Sequence, residues 1–310
     1  MLLQTSADQK KFIEETLALG EYYRKTQIWP KAEDFNYEGW LDNFLDTGDK
    51  YLASVILSFF TYYSDEIIRK LLYDSIGNAC GVFYRAQNYW NINDYKQKNY
   101  YSYVSSGNPT DSGFIFTRMA RDILHIPETQ ILAFEELRGK LDEGFERKNV
   151  VLMDDFIGYG SQCISALGKT DANGISLYNL IKERKHIVVY APLVANEIGV
   201  KNIKKSFPQI FITPAYTLGE EYNLFSERCI CWERDHNLFK AGVEMIRRTS
   251  RDCGIPEAYP QEGNELDTRG YKNQGVALGF SHGIPDAVPG FFYYSDNGWT
   301  PLMKRIYERF

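Results

Sequence analysis

Two adjacent carboxylates, Asp154 and Asp155, stand between a short apolar run and a loop that contains two glycines. The run, Val150–Met153, is typical of a strand that is buried on both faces of a parallel sheet. Ligands of such sheets bind at the carboxyl ends of the strands. Carboxylates accept hydrogen bonds from sugar hydroxyls, directly or through Mg²⁺. We therefore predict that Asp154 and Asp155 are catalytic residues that bind a sugar and act as magnesium ligands.

The loop that follows the acids has the composition of a phosphate site. Its glycines let backbone N–H groups turn toward an anion, and the small and apolar residues Ile164–Leu167 predict a helix whose N-terminal end is positive. A sugar phosphate satisfies the acids and the loop together. Five loop residues are predicted ligand contacts: Gly158, Tyr159, Gly160, Ser161 and Gln162.

Other motifs fit this stretch less well. A dinucleotide fingerprint needs a third glycine where Cys163 stands, and its ribose-binding acid follows the glycines instead of preceding them. Gly168–Thr170 resembles the end of a P-loop, but the first glycine of that motif is missing. A structural alternative is that the two acids are solvated and cap the next helix; adjacent acids at the end of a buried strand are costly without partners.

A second stretch repeats the order of strand, loop and helix. Tyr100–Val104 is β-prone, a loop rich in small polar residues follows, and Phe114–Leu124 is helical in pattern. Asp111 and Ser112 either cap this helix or, with Gly113, bind an anion. Both interpretations stay open, because capping and anion binding use the same N–H groups.

The surrounding pattern indicates how these loops are positioned. Residues 1–95 are helical in spacing and predict an N-terminal cap, residues 96–215 alternate strand and helix, and residues 216–310 form a C-terminal α+β extension packed on the core. The alternation predicts a doubly wound parallel sheet with right-handed crossovers. Its strands are predicted at Tyr100–Val104, Gln130–Leu137, Val150–Met153, His186–Ala191 and Gln209–Thr213, with a helix over Val194–Ser206.

Composition narrows the class of protein. The 310 residues include 44% hydrophobic and 25% charged residues, and the net charge of −6 argues against a broad nucleic-acid-binding face. We expect a cytoplasmic protein with no membrane span or signal peptide, since no apolar run is long enough. Five unevenly spaced cysteines fit a reducing compartment. A zinc site built from Cys229, Cys231, His236 and Cys253 is disfavoured by its spacing.

The central stretch resembles the ribose-5-phosphate loop of type I phosphoribosyltransferases: four apolar residues, two acids, two apolar residues and a short glycine-containing loop. The resemblance implies that Asp154 and Asp155 face the ribose hydroxyls and that Gly158–Gln162 wraps the 5′-phosphate. It also implies that the Gly107–Gly113 loop binds a pyrophosphate with Mg²⁺. Gly158 stands where many such enzymes carry an acid or threonine, and Gln162 replaces the usual closing threonine.

Two further segments resemble one subgroup, the phosphoribosyltransferase-like domain of bacterial anti-phage systems found beside retrons. They are Tyr37–Phe44 and the tail around Gly270–Gln274, His282 and Pro285; the resemblance covers Phe35–Arg305. It implies that His282 donates a proton or orients a phosphate. The implied ligand is phosphoribosyl pyrophosphate or a nucleotide. The implied partners are a reverse transcriptase with its nucleic acid or another defence protein, and the chain could form oligomers.

The sequence is compatible with three functions. The chain is an enzyme that makes or breaks an N-glycosidic bond, a catalytically silent sensor of a sugar phosphate or nucleotide, or a scaffold subunit that regulates a partner protein. The lack of a side chain at Gly158 and the replacement at Gln162 favour the sensor, because the loop keeps its shape while losing functional groups.

Overall fold

The structure, a computed structural model, describes residues 5–87, 91–105, 113–257 and 267–305. Its contacts divide the chain into two units. One unit combines Met1–Asp65 with Gly219–Phe310, and the other is Glu66–Leu218. These units cut across the predicted segments 1–95, 96–215 and 216–310, because the two ends of the sequence share one unit and the helices after Asp65 belong with the central sheet.

The helices and strands alternate most regularly in the second half of the Glu66–Leu218 unit. In chain order the elements are α1 (Ser6–Lys25), α2 (Tyr37–Asp42), α3 (Thr47–Phe59), β1 (Thr61–Tyr63), α4 (Asp65–Gln87), α5 (Ile92–Lys98), β2 (Asn99–Tyr103), α6 (Gly113–Asp122), α7 (Phe134–Asp142), β3 (Asn149–Ile157), α8 (Ser161–Gly168), α9 (Leu177–Glu183), β4 (Ile187–Asn196), α10 (Glu197–Ser206), β5 (Phe211–Ile212), β6 (Tyr216–Leu218), α11 (His236–Cys253) and β7 (Leu278–Phe280).

The Glu66–Leu218 unit contains a parallel sheet in the order β2-β3-β4-β5, with β6 also paired to β4. Ile131 forms a parallel bridge to Tyr101 of β2. Because a strand has only two edges, Ile131 lies on the side of β2 away from β3. The order of the sheet therefore reverses between β2 and β3, as in doubly wound folds. The predicted α/β class with a parallel sheet is confirmed.

The face of the sheet on which each helix lies follows from the direction of the crossover that contains the helix. Side chains of α7, α8, α9 and α10 share one apolar cluster with Val150 and Leu152 of β3 and Tyr190 of β4. Helix α6 contacts β2 and β3, and its buried Phe116 and Ala120 lie outside that cluster. The connection through α6 runs from β2 toward Ile131, whereas those through α7, α8, α9 and α10 run in the opposite direction across the sheet. Right-handed crossovers of opposite direction place their helices on opposite faces, as the doubly wound order requires.

The predicted strand Gln130–Leu137 was wrong. Only Ile131 of this stretch pairs with the sheet, and α7 begins at Phe134. The carboxylate of Glu136 accepts a hydrogen bond from the backbone N–H of Ala133 at 2.9 Å, which satisfies a donor at the start of the helix. This capping bond stabilises a helix from Phe134 onward, although the apolar residues of the segment have a weak preference for a strand.

Strands β3 and β4 extend further than predicted. Asp154 and Asp155 lie inside β3 and not after it, and the residues from Val194 to Asn196, predicted as helix, belong to β4. The side chain of Asn196 then accepts a hydrogen bond from the N–H of Ile198 at 3.2 Å and begins α10. The pairing of these two strands, which extends to Ile157 and Ala195, carries both polar segments to the same edge of the sheet.

The other unit joins the two ends of the sequence. β1 and β7 form a parallel pair. The indole N–H groups of Trp40 and Trp299 both donate to the carbonyl of Phe291 at 3.0 Å. Trp40 is fully buried and stacks on Phe292 with ring centroids 5.5 Å apart. The aromatic segment near the start and the tail thus form a single core, which explains why both carry many aromatic residues.

None of the helices in the described ranges is long and apolar enough to cross a membrane. The five cysteines are free thiols, and four of them are buried. In the parts of the chain that the structure describes, no three His, Cys, Asp or Glu side chains are grouped so that they could hold a metal ion.

Candidate functional site

The two acids of β3 differ in environment. Asp154 is only 4% exposed, whereas Asp155 is half-buried. One carboxylate oxygen of Asp154, Oδ2, accepts a hydrogen bond from the hydroxyl of Tyr190, and the other, Oδ1, accepts one from the backbone N–H of Asp155 at 3.0 Å. Asp154 therefore has protein partners for both oxygens in the interior of its unit.

The local shape of β3 follows from the residue opposite Asp154. That residue is Pro192, which has no backbone N–H to give to the ladder, and the register passes from the Asp154–Pro192 pair directly to the Phe156–Val194 pair. At this point side-chain oxygens accept from backbone N–H groups, including a 2.7 Å bond from Phe156 N–H to Asp155 Oδ1. The proline thus marks where β3 changes from regular pairing to a polar edge.

Burial controls the ionisation of the inner acid. Desolvation raises the pKa of Asp154 well above its usual range, and repulsion from Asp155 adds to this, while the hydrogen bond from Tyr190 opposes it. Burial also raises the pKa of Tyr190 and of Cys163, and the charge of Asp154 contributes to both shifts. The side chains of Asp154, Tyr190 and Cys163 thus form a buried cluster of ionisable groups where β3, β4 and α8 meet.

The glycine loop ends in a helix start that lacks a capping side chain. Gly160 is the N-cap of α8 and has a left-handed conformation with φ of 85°. A glycine N-cap offers no side-chain oxygen to the N–H groups of the first turn. Ser161 and Gln162 occupy that turn and are exposed, and Tyr159 is half-buried. The first turn of α8 therefore begins, without a side-chain cap from Gly160, at the edge where β3 ends.

Helix α10 fixes the loop from behind. A Cβ at Gly199 would lie 2.2 Å from the carbonyl oxygen of Gly158, so the backbones touch there. A Cβ at Gly160 would lie 2.8 Å from Cγ1 of Ile203. The side-chain amide of Asn202 donates to the carbonyl of Tyr159 at 3.1 Å. The loop is thus a supported structure whose backbone path depends on two glycines and an amide.

The second predicted loop is described only at its ends. Asp111 and Ser112 lie outside the described residues. Gly113 begins α6 and is buried, and a Cβ on it would lie 2.2 Å from the ring of Tyr103 at the end of β2. Since Tyr103 is paired with Met153, the loop leaves β2 next to the acidic end of β3. The glycine loop and the described ends of the second loop lie beside the point where the sheet order reverses, which is the usual ligand position in such folds.

His282 belongs to the other unit, where it follows β7. It is half-buried, and its ring stacks on Phe280 with centroids 5.3 Å apart. The neighbouring Ser281 donates from its hydroxyl to Asp65. The acids, the glycine loop and Gly113 are thus brought together within one unit, while the role predicted for His282 stays a prediction.

The donor set fits Mg²⁺ only in combination with a ligand. Carboxylate oxygens are suitable donors, but the described residues offer no cage of three or more ionisable ligands. Mg²⁺ commonly binds through one or two carboxylates together with substrate phosphates. Asp155 would hold the ion, since it is half-buried, whereas Asp154 is only 4% exposed.

The fold and this edge define a phosphoribosyltransferase-like α/β protein: a parallel sheet whose order reverses beside an acidic strand end and a glycine-bounded loop. The family model PRTase-CE matches residues 37–305, and the chain belongs to this family. No curated protein and no solved structure matches the chain. The matched region covers the whole of the Glu66–Leu218 unit and part of the other unit, from the start of α2 to residue 305.

Several residues that shape the site were not predicted. Tyr190 partners Asp154, and Gly199 and Asn202 support the loop. Tyr190 did leave a signal, because it is the single residue with a polar tip in the apolar run of β4, and a buried hydroxyl requires a partner. Gly199 and Asn202 left none, since single glycine and asparagine residues occur on many helices that support no loop.

Asp154→Asn is expected to melt at or above the parent temperature at pH 8. The folded-state pKa of Asp154 is raised, so its contribution to stability is complete below the unfolded-state pKa of about 3.9 and is lost as the pH rises through the folded-state value. Removing the charge avoids that loss. Melting temperatures of both proteins between pH 4 and pH 8 would check this, and the advantage of the variant should shrink as the pH falls.

Asp171→Asn serves as a control, because folding lowers the pKa of Asp171 and raises that of Asp154. Hydrogen bonds from the N–H groups of Ile175 and Asn173 lower the pKa of Asp171, so its contribution is present above the unfolded-state pKa and is lost as the pH falls. That variant should melt below the parent at pH 8. The difference in melting temperature between each variant and the parent should change with pH in opposite directions. If both differences change in the same direction, Asp154 does not have a raised pKa in the folded protein.

Proposed function

We propose that the chain binds phosphoribosyl pyrophosphate or a nucleotide, together with Mg²⁺, at the carboxyl end of β3, and makes or breaks an N-glycosidic bond. The observation that carries the proposal is that α8 begins with a glycine N-cap directly after an acidic strand end. The first turn suits a phosphate, and the carboxylates suit ribose hydroxyls. Membership of a phosphoribosyltransferase-like family supports the same ligand.

Electrostatic placement suits the proposed chemistry. Transfer at the anomeric carbon passes through a charge-separated state, so fixed donors at the phosphate and a negative carboxylate at the ribose stabilise it without a dedicated base. The described part of the loop supplies such donors, and Gly158 supplies no side-chain base.

The cellular role we propose is that of an effector or accessory protein in a bacterial anti-phage system of the retron type. The support is the resemblance of Tyr37–Phe44 and the tail to that subgroup. As an effector, the protein would modify or deplete nucleotides of an infected cell. A reverse transcriptase gene beside this one would support the proposal, and a biosynthetic operon around it would count against it.

A sensor without catalysis is the second candidate. Two observations favour it: Gly158 has no side chain where many relatives of the type I class carry an acid or threonine, and Asp154 is engaged by Tyr190 in the interior. A sensor needs the binding edge but not a reactive group. Product analysis separates the two candidates, because a sensor binds its ligand and leaves it unchanged.

Calorimetric titration of the full chain with phosphoribosyl pyrophosphate, with and without Mg²⁺, tests the proposed function. We expect Mg²⁺-dependent binding that Asp154→Asn/Asp155→Asn weakens at least roughly a hundredfold, as for lost hydrogen bonds to charged groups. The fold of the double variant should persist. Asp122→Asn on α6, an exposed acid, should bind as the parent does. Mass spectrometry of the mixture then shows whether pyrophosphate or a free base is released.

No heat with phosphoribosyl pyrophosphate or any common nucleotide would refute the proposed function. A double variant that binds as the parent does would place the ligand elsewhere. A double variant that melts far below the parent would show that the acids are structural.

A further inference from the structure

The two acids of β3 lie on opposite faces of the sheet. Successive side chains of a strand alternate, so Asp154 shares a face with Leu152, and Asp155 shares the other with Met153. The face of Leu152 is the one covered by α7, α8, α9 and α10. Asp154 is 4% exposed there, while Asp155 is half-buried. A ligand at the strand end therefore has access to the two carboxylates to very different degrees.

Asp154 is also committed to the protein through both oxygens. The hydroxyl of Tyr190, a fully buried side chain on β4, donates to Oδ2. The backbone N–H of Asp155 donates to Oδ1 at 3.0 Å. Tyr190 thus orients Asp154, and Asp154 holds the backbone of Asp155. The contact lies beside Pro192, which has no backbone N–H to give to the ladder.

From this geometry we infer that Asp155 alone contacts the ribose and Mg²⁺, and that Asp154 and Tyr190 are positioning residues that hold Asp155 in place. The inference deepens the proposed function and rests on it for the identity of the ligand. It gives the two acids different roles: the half-buried Asp155 contacts the ligand, and the buried Asp154 positions Asp155. The division follows from the burial of Asp154, which is 4% exposed while Asp155 is half-buried, and from the bond between Asp154 and the buried hydroxyl of Tyr190.

Binding of phosphoribosyl pyrophosphate with Mg²⁺ to single variants tests the division. Asp155→Asn should weaken binding about thirtyfold or more and remove its dependence on Mg²⁺, since a charged contact is lost. Asp154→Asn keeps an acceptor for the Asp155 N–H and a donor for Tyr190, so it should bind within about threefold of the parent. Asp154→Ala and Tyr190→Phe break the support and should each weaken binding about five- to tenfold.

A second measurement does not need a ligand. The exchange rate of the Asp155 amide proton in the full chain reports whether Oδ1 of Asp154 holds it. We expect exchange at least about tenfold faster in Asp154→Ala and Tyr190→Phe, and little change in Asp154→Asn. The control is Tyr101→Phe on β2, which removes another buried hydroxyl of the same sheet that bonds to the carbonyl of Tyr95. That control should leave the Asp155 amide as it is.

The outcomes separate the inference from the proposed function. If the parent binds no phosphoribosyl pyrophosphate but the exchange pattern holds, the proposed function fails and the positioning pair stands. Equal losses of binding in Asp154→Asn and Asp155→Asn would overturn the inference, because both acids would then contact the ligand. The inference would also be overturned if the Asp155 amide proton exchanged at the parent rate in both Asp154→Ala and Tyr190→Phe.

Discussion

Gly160→Val is expected to lower the free energy of unfolding by roughly 2–5 kcal/mol, the sum of a left-handed backbone and an overpacked contact. The residue has φ of 85°, and a Cβ there would lie 2.8 Å from Ile203 Cγ1 and 3.0 Å from the carbonyl oxygen of Gly199. A β-branched side chain meets both obstacles at once. Urea unfolding, followed by circular dichroism, measures the loss as a lower midpoint.

Gly174→Val separates the two contributions. Gly174 also has a left-handed φ, of 77°, but no atom lies within 4 Å of its ideal Cβ. Its loss should be limited to the conformational part, about 1–2 kcal/mol. Equal losses in the two variants would mean that α10 does not support the loop.

A loss of ligand binding in Gly160→Val has two possible causes, a missing phosphate contact and a displaced loop. Gly160→Val would abolish binding even if no backbone amide touched a phosphate, because the loop itself would move. Ser161→Ala is the more direct probe, since Ser161 is exposed on the first turn of α8 and its hydroxyl can be removed without a collision. A modest loss of affinity, about 1 kcal/mol, is expected when one of several hydrogen bonds to the phosphate is removed.

Sequence patterns predicted the parallel sheet because its strands are continuous apolar runs bounded by polar residues. Val150–Met153 and His186–Ala191 both lie in or beside observed strands, β3 and β4. The ends of these strands were underestimated, since polar residues such as Asp154 and Asn196 ordinarily indicate a loop. Only pairing between two strands, which depends on residues far apart in sequence, keeps such residues in a sheet.

The separation of the two acids could not be predicted from one sequence. Period-two alternation places Asp154 and Asp155 on opposite faces, but whether a face is closed by helices depends on the crossovers. Tyr190 is 36 residues from its partner. A resemblance to a family transfers the positions of the two acids, and it says nothing about which of them the local packing buries.

The sequence also did not predict that the two ends of the chain belong to the same unit. The residues that meet there, Trp40, Phe291 and Trp299, are aromatic, and aromatic residues pack against many kinds of partner. Nothing in their local spacing favours the tail of the chain over the neighbouring helices. The contact is a property of the tertiary fold alone.

Trp40→Ala is expected to destabilise the unit formed by Met1–Asp65 and Gly219–Phe310 by about 3–5 kcal/mol, as for other large-to-small changes of a buried aromatic residue. Trp40 is fully buried, and its ring lies against Phe44, Phe291 and Phe292 with centroids 5.2–5.5 Å apart. Its removal leaves a cavity and takes away one of the two donors to the carbonyl shared with Trp299.

Trp299→Ala is the matched control. Trp299 donates to the same carbonyl of Phe291 at 3.0 Å, but it is only half-buried and has a ring contact with Phe44. Each variant thus loses one hydrogen bond to the same acceptor, and the difference between them measures the buried packing of Trp40. We expect a loss for Trp299→Ala of about 1–2 kcal/mol.

Tryptophan fluorescence during urea unfolding is the suitable readout, because four of the five tryptophans in the chain, Trp29, Trp40, Trp232 and Trp299, belong to this unit. The transition of the Trp40→Ala protein should move to lower urea by more than that of Trp299→Ala. If the two midpoints coincide, the core that joins the ends of the chain depends on the shared hydrogen bonds and not on the packing of Trp40.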